Sequence, residues 1–360
     1  MSRKFFTLVA LVAALAPALA GCTAAPPSVP ASVPPSGASR TYTDDLGRQV
    51  RLPATIERVA PSGPMAQLVL FALCPDKLVG LASMFSGDQF SYIDQKYATL
   101  PVFGSLYGAG LNLEAVMAAR PQVIVDIGDA TSAAAGNLDS VQAKTGVPTV
   151  FVAATMDTLA ATYRKLGALT GDAVPAAQLA DYVDATLSDV TSKVATIPAA
   201  ARPSVYYGLN NGLTGVAGGS THSGVIDAVG ARNVVPAGGA GGAGTVPVSM
   251  EQLMLWNPDV ILFAPHTVHD VVAGDPRWQG LSAIKAGRDF EIPGGPYSWI
   301  DQPPSVNQII GVVWLANLLY PDVFRFDMVS QTRQFYQLFY HCDLTDARAR
   351  ALLANSTYQR

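Results

Sequence analysis

Charge, cysteine and histidine are scarce in this chain. Asp, Glu, Lys and Arg make up 14% of its 360 residues, and there are only three cysteines and four histidines. Its 23 basic residues face 27 acidic ones, giving a formal net charge of −4, and no basic run occurs in the body, so the electrostatic footprint of a nucleic-acid binder is missing. Cys22, Cys74 and Cys342 are isolated from one another and have no zinc-site spacing. In an oxidising compartment Cys74 and Cys342 could pair, yet each stands in an apolar or helical context that suits a buried free thiol. No G-x-S-x-G, H-E-x-x-H or phosphate-binding glycine loop stands in the strand-to-helix context such chemistry requires. The glycine-rich stretch 238–244 follows Pro236 and leads to Val246-Pro247, so it reads as a loop. A membrane-spanning run is missing too: Phe5 to Ala20 is apolar but falls short of the roughly 18 residues a spanning helix needs.

What that first run does supply is an address. Arg3 and Lys4 precede it and small residues end it, so residues 1–21 are expected to be a signal peptide. Leu19-Ala20-Gly21-Cys22 resembles a bacterial lipobox, which makes Cys22 the expected lipid attachment and places the protein on the outer face of a membrane. Ala18-Leu19-Ala20 also satisfies an ordinary cleavage site, which would leave a soluble mature chain. Residues 22–40 are rich in Pro, Ala and Ser; in extended polyproline-like form such a stalk reaches up to about 55 Å.

The rest of the chain exceeds the size at which single cores stop growing, and with 49% apolar residues it can fill two. Short apolar strands alternate with helices on either side of a long helical stretch, which predicts two α/β lobes with mostly parallel sheets. The expected boundaries are an N-terminal lobe over 41–155, a connecting helix over 156–197 interrupted near Gly171-Asp172, and a C-terminal lobe over 198–360.

The lobes share a pattern. Leu113-Glu114 is followed by Pro121 and Val123-Ile124-Val125, and Met250-Glu251 by Pro258 and Val260-Ile261-Leu262 at the same spacing. Each unit reads as a short helix, a break and a buried strand; Glu in a first helical turn also complements the dipole, so the repeat alone speaks for two similar lobes.

Thr43-Asp44-Asp45-Leu46-Gly47-Arg48 with Pro53 and Arg58-Val59, then NLEAVMAARPQVIV, SMEQLMLWNPDVILF and the closing WLANLLYPD, resemble the iron-siderophore, haem and cobalamin receptors of ABC importers. The resemblance runs from Tyr42 to the closing helices. It implies two lobes joined by one long rigid helix, cargo in the cleft between them, and no catalysis. It further implies that Glu114 and Glu251 dock onto arginines of a permease dimer driven by its ATPase. No resident cofactor is expected; the cargo is expected to be an iron or other metal complex, such as a siderophore chelate, haem or cobalamin. An extracytoplasmic chelatase-like enzyme for a metal or tetrapyrrole is the alternative, and a surface adhesin a third reading.

Ligands of open α/β lobes meet the loops at the carboxyl ends of strands. Those loops offer Tyr107, Tyr297 and Trp299 as aromatic faces and Asn210 as an amide. His222, beside Gly218-Gly219-Ser220 and before a helix start, suits an anion. His266, in Pro265-His266-Thr267-Val268-His269, is the candidate metal ligand. No arginine cluster appears among these loops, which argues against a strongly anionic siderophore and leaves haem, a neutral hydroxamate chelate, cobalamin or a small metal oxyanion.

Overall fold

An aspartate turn opens the fold. Asp44 Oδ1 accepts from the backbone N–H groups of Leu46 (3.1 Å) and Arg48 (2.9 Å), and Gly47 takes a left-handed φ of +77°. The chain therefore reverses tightly between antiparallel strands β1 (Ser39–Thr43) and β2 (Gln49–Pro53). The computed structural model describes residues 38–107, 110–237, 244–265 and 268–358. The expected signal peptide and Cys22 lie outside them, but Ser39 and Arg40, counted above with the stalk, already pair with Pro53 and Leu52 in the hairpin. The buried Asp44 carboxylate also accepts from Arg48 Nη1 (3.0 Å) and from the Phe151 N–H (3.2 Å), pinning the hairpin to the body.

The first lobe runs through β3 (Val59–Pro61), α1 (Pro64–Leu73), the short pair β4 (Gly104–Ser105) and β5 (Gly110–Leu111), α2 (Leu113–Ala119), β6 (Val123–Gly128), α3 (Ala134–Thr145), β7 (Thr149–Ala153) and α4 (Leu159–Thr170). Strands β3, β6 and β7 form a parallel sheet in that order. The apolar stretch over 78–81 joins it through a single bridge, Val59 to Leu78, and Leu81 in turn bridges Val102. The Phe103 ring lies where a Cβ on Gly80 would sit, 2.1 Å away, so glycine lets that ring close over the stretch.

Residues 156–197 are two helices rather than one. Gly171 ends α4 with a φ of +85°, and α5 (Ala173–Ala195) turns back along it: Arg164 on α4 pairs with both Asp181 and Asp184 on α5, at 2.9 Å each. Glycine is the residue that adopts such a left-handed cap without strain. The single long connector is thus α5, whose 23 residues span about 35 Å.

The second lobe follows with β8 (Ser204–Leu209), β9 (Thr214–Val216), α6 (Gly224–Ala228), β10 (Arg232–Asn233), β11 (Thr245–Pro247), α7 (Met250–Trp256), β12 (Val260–Phe263), α8 (Val268–Ala273), α9 (Ser282–Lys285), β13 (Asp289–Glu291) and α10 (Asn307–Leu319). Its sheet has the order β11-β9-β8-β12-β13, with β10 beside β8; β8, β10, β11, β12 and β13 run one way, while β9 runs against them.

The last helices, α11 (Met328–Phe339) and α12 (Asp346–Leu352), do not stay with that sheet. Phe339 meets the Tyr163 ring on α4 and the Tyr182 ring on α5 edge-on, at 6.1 and 5.6 Å, and His341 Nε2 lies 3.1 Å from the Phe71 carbonyl oxygen at the end of α1. The expected C-terminal lobe over 198–360 therefore returns to the first lobe at its end, and one apolar core passes through both. Among the described residues no helix is long and apolar enough to cross a membrane.

Candidate functional site

Among the described residues, two cavities of the cleft are walled by both lobes. The first, of about 460 Å³, lies past the carboxyl ends of β6 and β7. Met65 and Val69 of α1, Asp129, and Thr155 to Asp157 form its first-lobe side; Gly219 to Thr221, Gly224 and Asp227 at α6 and Ser305 and Gln308 at the start of α10 form the other. The second, of about 470 Å³, lies between Ser86–Tyr92 of the first lobe and Pro265, Gly294–Ser298 and Gln302 of the second. At that end the lobes touch directly, since Gln89 Nε2 donates to the Pro296 carbonyl at 2.8 Å.

His222 sits between them. Its neighbour Thr221 lines the first cavity, while its Nδ1 lies 2.6 Å from Oδ1 of the buried Asp301, whose neighbour Gln302 lines the second. The hydrogen bond that the ring donates to the Asp301 carboxylate raises the imidazole pKa above its usual value, partial burial opposing it. The anion cradle expected beside His222 is filled from within the protein: the Asp227 carboxylate accepts from the Gly219 N–H (3.3 Å) and from Ser223 Oγ (2.8 Å). Helix α6, at five residues, adds little dipole there.

Of the aromatic candidates, Tyr297 lines the second cavity. Trp299 does not face the cleft: it is fully buried, with Nε1 donating to Tyr336 Oη at 3.2 Å. The backbone brings it there, because α10 approaches so closely at Gly311 that an added Cβ would lie 2.0 Å from the Trp299 carbonyl oxygen. Tyr107 is exposed and donates its phenol to Asp126 Oδ2 at 2.7 Å, and burial together with that bond pushes its own ionisation upward. Asn210 occupies a left-handed turn position and reaches Thr214 Oγ1 at 3.2 Å. Tyr107 and Asn210 line neither cavity. His266 lies outside the described residues. Cys74 and Cys342 are both free; burial pushes the Cys74 thiol up to about 12.

Among the cavity walls that sequence reasoning missed are Met65, Met156, Ser305 and Gln308. Their only signal was position, at the first turn of α1, just past β7 and at the start of α10.

On the outer surface, Glu114 and Glu251 are exposed second residues of two seven-residue helices, α2 and α7. Asn112 and Ser249 cap these helices by accepting from the N–H of Ala115 (3.0 Å) and Gln252 (3.1 Å). Both helices end on a left-handed residue other than glycine, Arg120 and Asn257. Its own N–H and Ser249 lower the Glu251 pKa.

A family model described as periplasmic binding protein matches residues 69–295. Among solved structures, an ABC transporter solute-binding protein from Sulfurospirillum deleyianum superposes with a TM-score of 0.81 at 26% identity, covering 88% of this chain and 99% of its own. The molybdate periplasmic binding protein of Haemophilus influenzae, solved with molybdate, gives 0.70 at 22% identity, covering 85% and 99%. The catecholate-siderophore binding protein of Vibrio cholerae gives 0.54 at 18% identity, covering 71% and 91%. No curated protein matches.

Proposed function

We propose, since this chain belongs to the periplasmic binding protein family, that its cleft captures a metal compound and delivers it to an ABC permease dimer driven by a separate ATPase. The chain is a periplasmic solute-binding protein of ABC transporters. The cargo in this reading is an iron-siderophore complex, haem, cobalamin or a related metal compound. The observation that carries it is the pair of cavities walled by both lobes, since enclosure from two sides is what capture requires. Tyr297 and His222 stand at the cargo in this reading, and Glu114 and Glu251 meet the permease. The solved relatives are binding proteins, and no observation favours the chelatase-like alternative.

Native mass spectrometry of protein purified from its own envelope is the test. A bound metal compound is the expected result; a metal-free organic nutrient at full occupancy overturns the reading. Lipid attachment at Cys22 belongs to the same proposal, because a tether raises the effective concentration of each encounter with the permease. Cys22→Ser is expected to release the protein from the membrane fraction without changing cargo affinity, and unchanged fractionation would refute that anchor.

A further inference from the structure

The ionisable groups facing the cavities have one sign. Asp129, Asp157 and Asp227 line the first cavity and Asp88 the second. Among the described residues no lysine or arginine lines either, and the internal stretches 108–109, 238–243 and 266–267 contain none in the sequence. Carboxylates are charged at neutral pH, and a cleft lined by one sign focuses its field on whatever enters. The potential cations nearby are already engaged: His222 is paired with Asp301, and Arg348, which touches the wall of the second cavity, donates to the Ser91 carbonyl and sits 5.1 Å from the Tyr92 ring centroid.

From this we infer that the cleft selects positively charged cargo and rejects anions; the inference rests on the receptor reading above and narrows its cargo to cationic complexes. The remainder of the wall is consistent with a bulky cation that keeps its own ligands. Met65, Val69 and Met156 supply a soft apolar surface, and the Met156 methyl reaches across the cleft to within 3.7 Å of a Cβ placed on Gly224. Ser305 is only 9% exposed and its hydroxyl has no partner among the described residues, so a polar atom of the cargo satisfies it on binding. Molybdate, the ligand solved in the Haemophilus protein, is an anion and meets the wrong charge here.

The test uses the purified full chain and isothermal titration calorimetry. The probes are ferric trihydroxamates of similar size, one singly positive through a free ammonium and one neutral, a triply negative ferric triscatecholate, and molybdate. The positive complex is expected to bind about tenfold more tightly than the neutral one, with no heat from either anion. In the double variant Asp129→Asn with Asp157→Asn the ratio of positive to neutral affinity is expected to fall several-fold toward one, whatever the change in neutral affinity itself. Either anion binding as tightly as the cation overturns the inference, as does an unchanged ranking in the variant. Should no ferric complex bind, a ferric siderophore is excluded as the cargo. The charge inference is then decided by a metal-free quaternary ammonium and a sulfonate of like size: only preference for the ammonium upholds it.

Discussion

Glu114 and Glu251 occupy equivalent positions in two helices built to one plan, each the exposed second residue of seven, following a polar cap and preceding a left-handed break and a buried strand. The caps hold both glutamates in the first turn, where the helix dipole favours their charge. Two like charges on two like lobes suit a partner with two equivalent surfaces, because charge complementarity fixes register more than it adds affinity.

Replacing both, Glu114→Ala with Glu251→Ala, is therefore expected to abolish cargo uptake in reconstituted vesicles. Cargo affinity by calorimetry should be unchanged, since neither residue lines a cavity. Each single variant should retain partial uptake. Loss of cargo binding in the double variant would place these residues in the capture step instead.

The His222–Asp301 pair makes stability depend on pH. Because Asp301 raises the imidazole pKa above its ordinary 6.5 in the folded protein, the pair's contribution is fully present below that value. It is lost as pH rises through the raised folded pKa. Urea denaturation midpoints are expected to fall for the wild type from about pH 6 to pH 8 more steeply than for His222→Gln. Parallel pH profiles for the two proteins would show that the pair does not titrate in this window.

Much of this architecture was legible because the helices and buried strands carry strong local signals. Pro64–Leu73 and the repeat around Glu114 and Glu251 stand where periodicity, proline and caps place them. The doubling back of α4 on α5 was marked by Gly171 but not decided by it, because a glycine allows a turn without specifying its direction. The return of α11 to the first lobe left no local trace, since the partners of Phe339 are Tyr163 and Tyr182, far away in sequence. Trp299 misled for a similar reason: a run of breakers around an aromatic residue reads as surface loop, and the opposing signal, Gly311 inside an apolar helix, lies twelve residues on. The acidic cast of the cavities escaped notice because Asp129 and Asp157 come from two separate loops and Asp227 from helix α6, which only the fold assembles.

Gly311 is where that packing can be probed. Its missing Cβ admits the Trp299 carbonyl oxygen, and beside it Asn307 Nδ2 donates to the Ser298 carbonyl and Gln308 Nε2 to the Ile300 carbonyl at 3.0 Å. Helix α10 thus holds the loop that carries Tyr297 and Asp301 from three points. Gly311→Ala gains about 1 kcal/mol of helix propensity yet forces backbone against Cβ, an overpacking cost of about 1–3 kcal/mol or more. The steric cost should win, because the obstructing atom is main chain and cannot rotate away. A net destabilisation of roughly 1–2 kcal/mol by urea denaturation is expected. Weakened cargo binding should accompany it, since the same shift displaces Tyr297 at the second cavity and Asp301 beneath His222. A Gly311→Ala protein as stable as the wild type would show that the helix and loop can part at this contact without loss, and that the loop is held in place by other means.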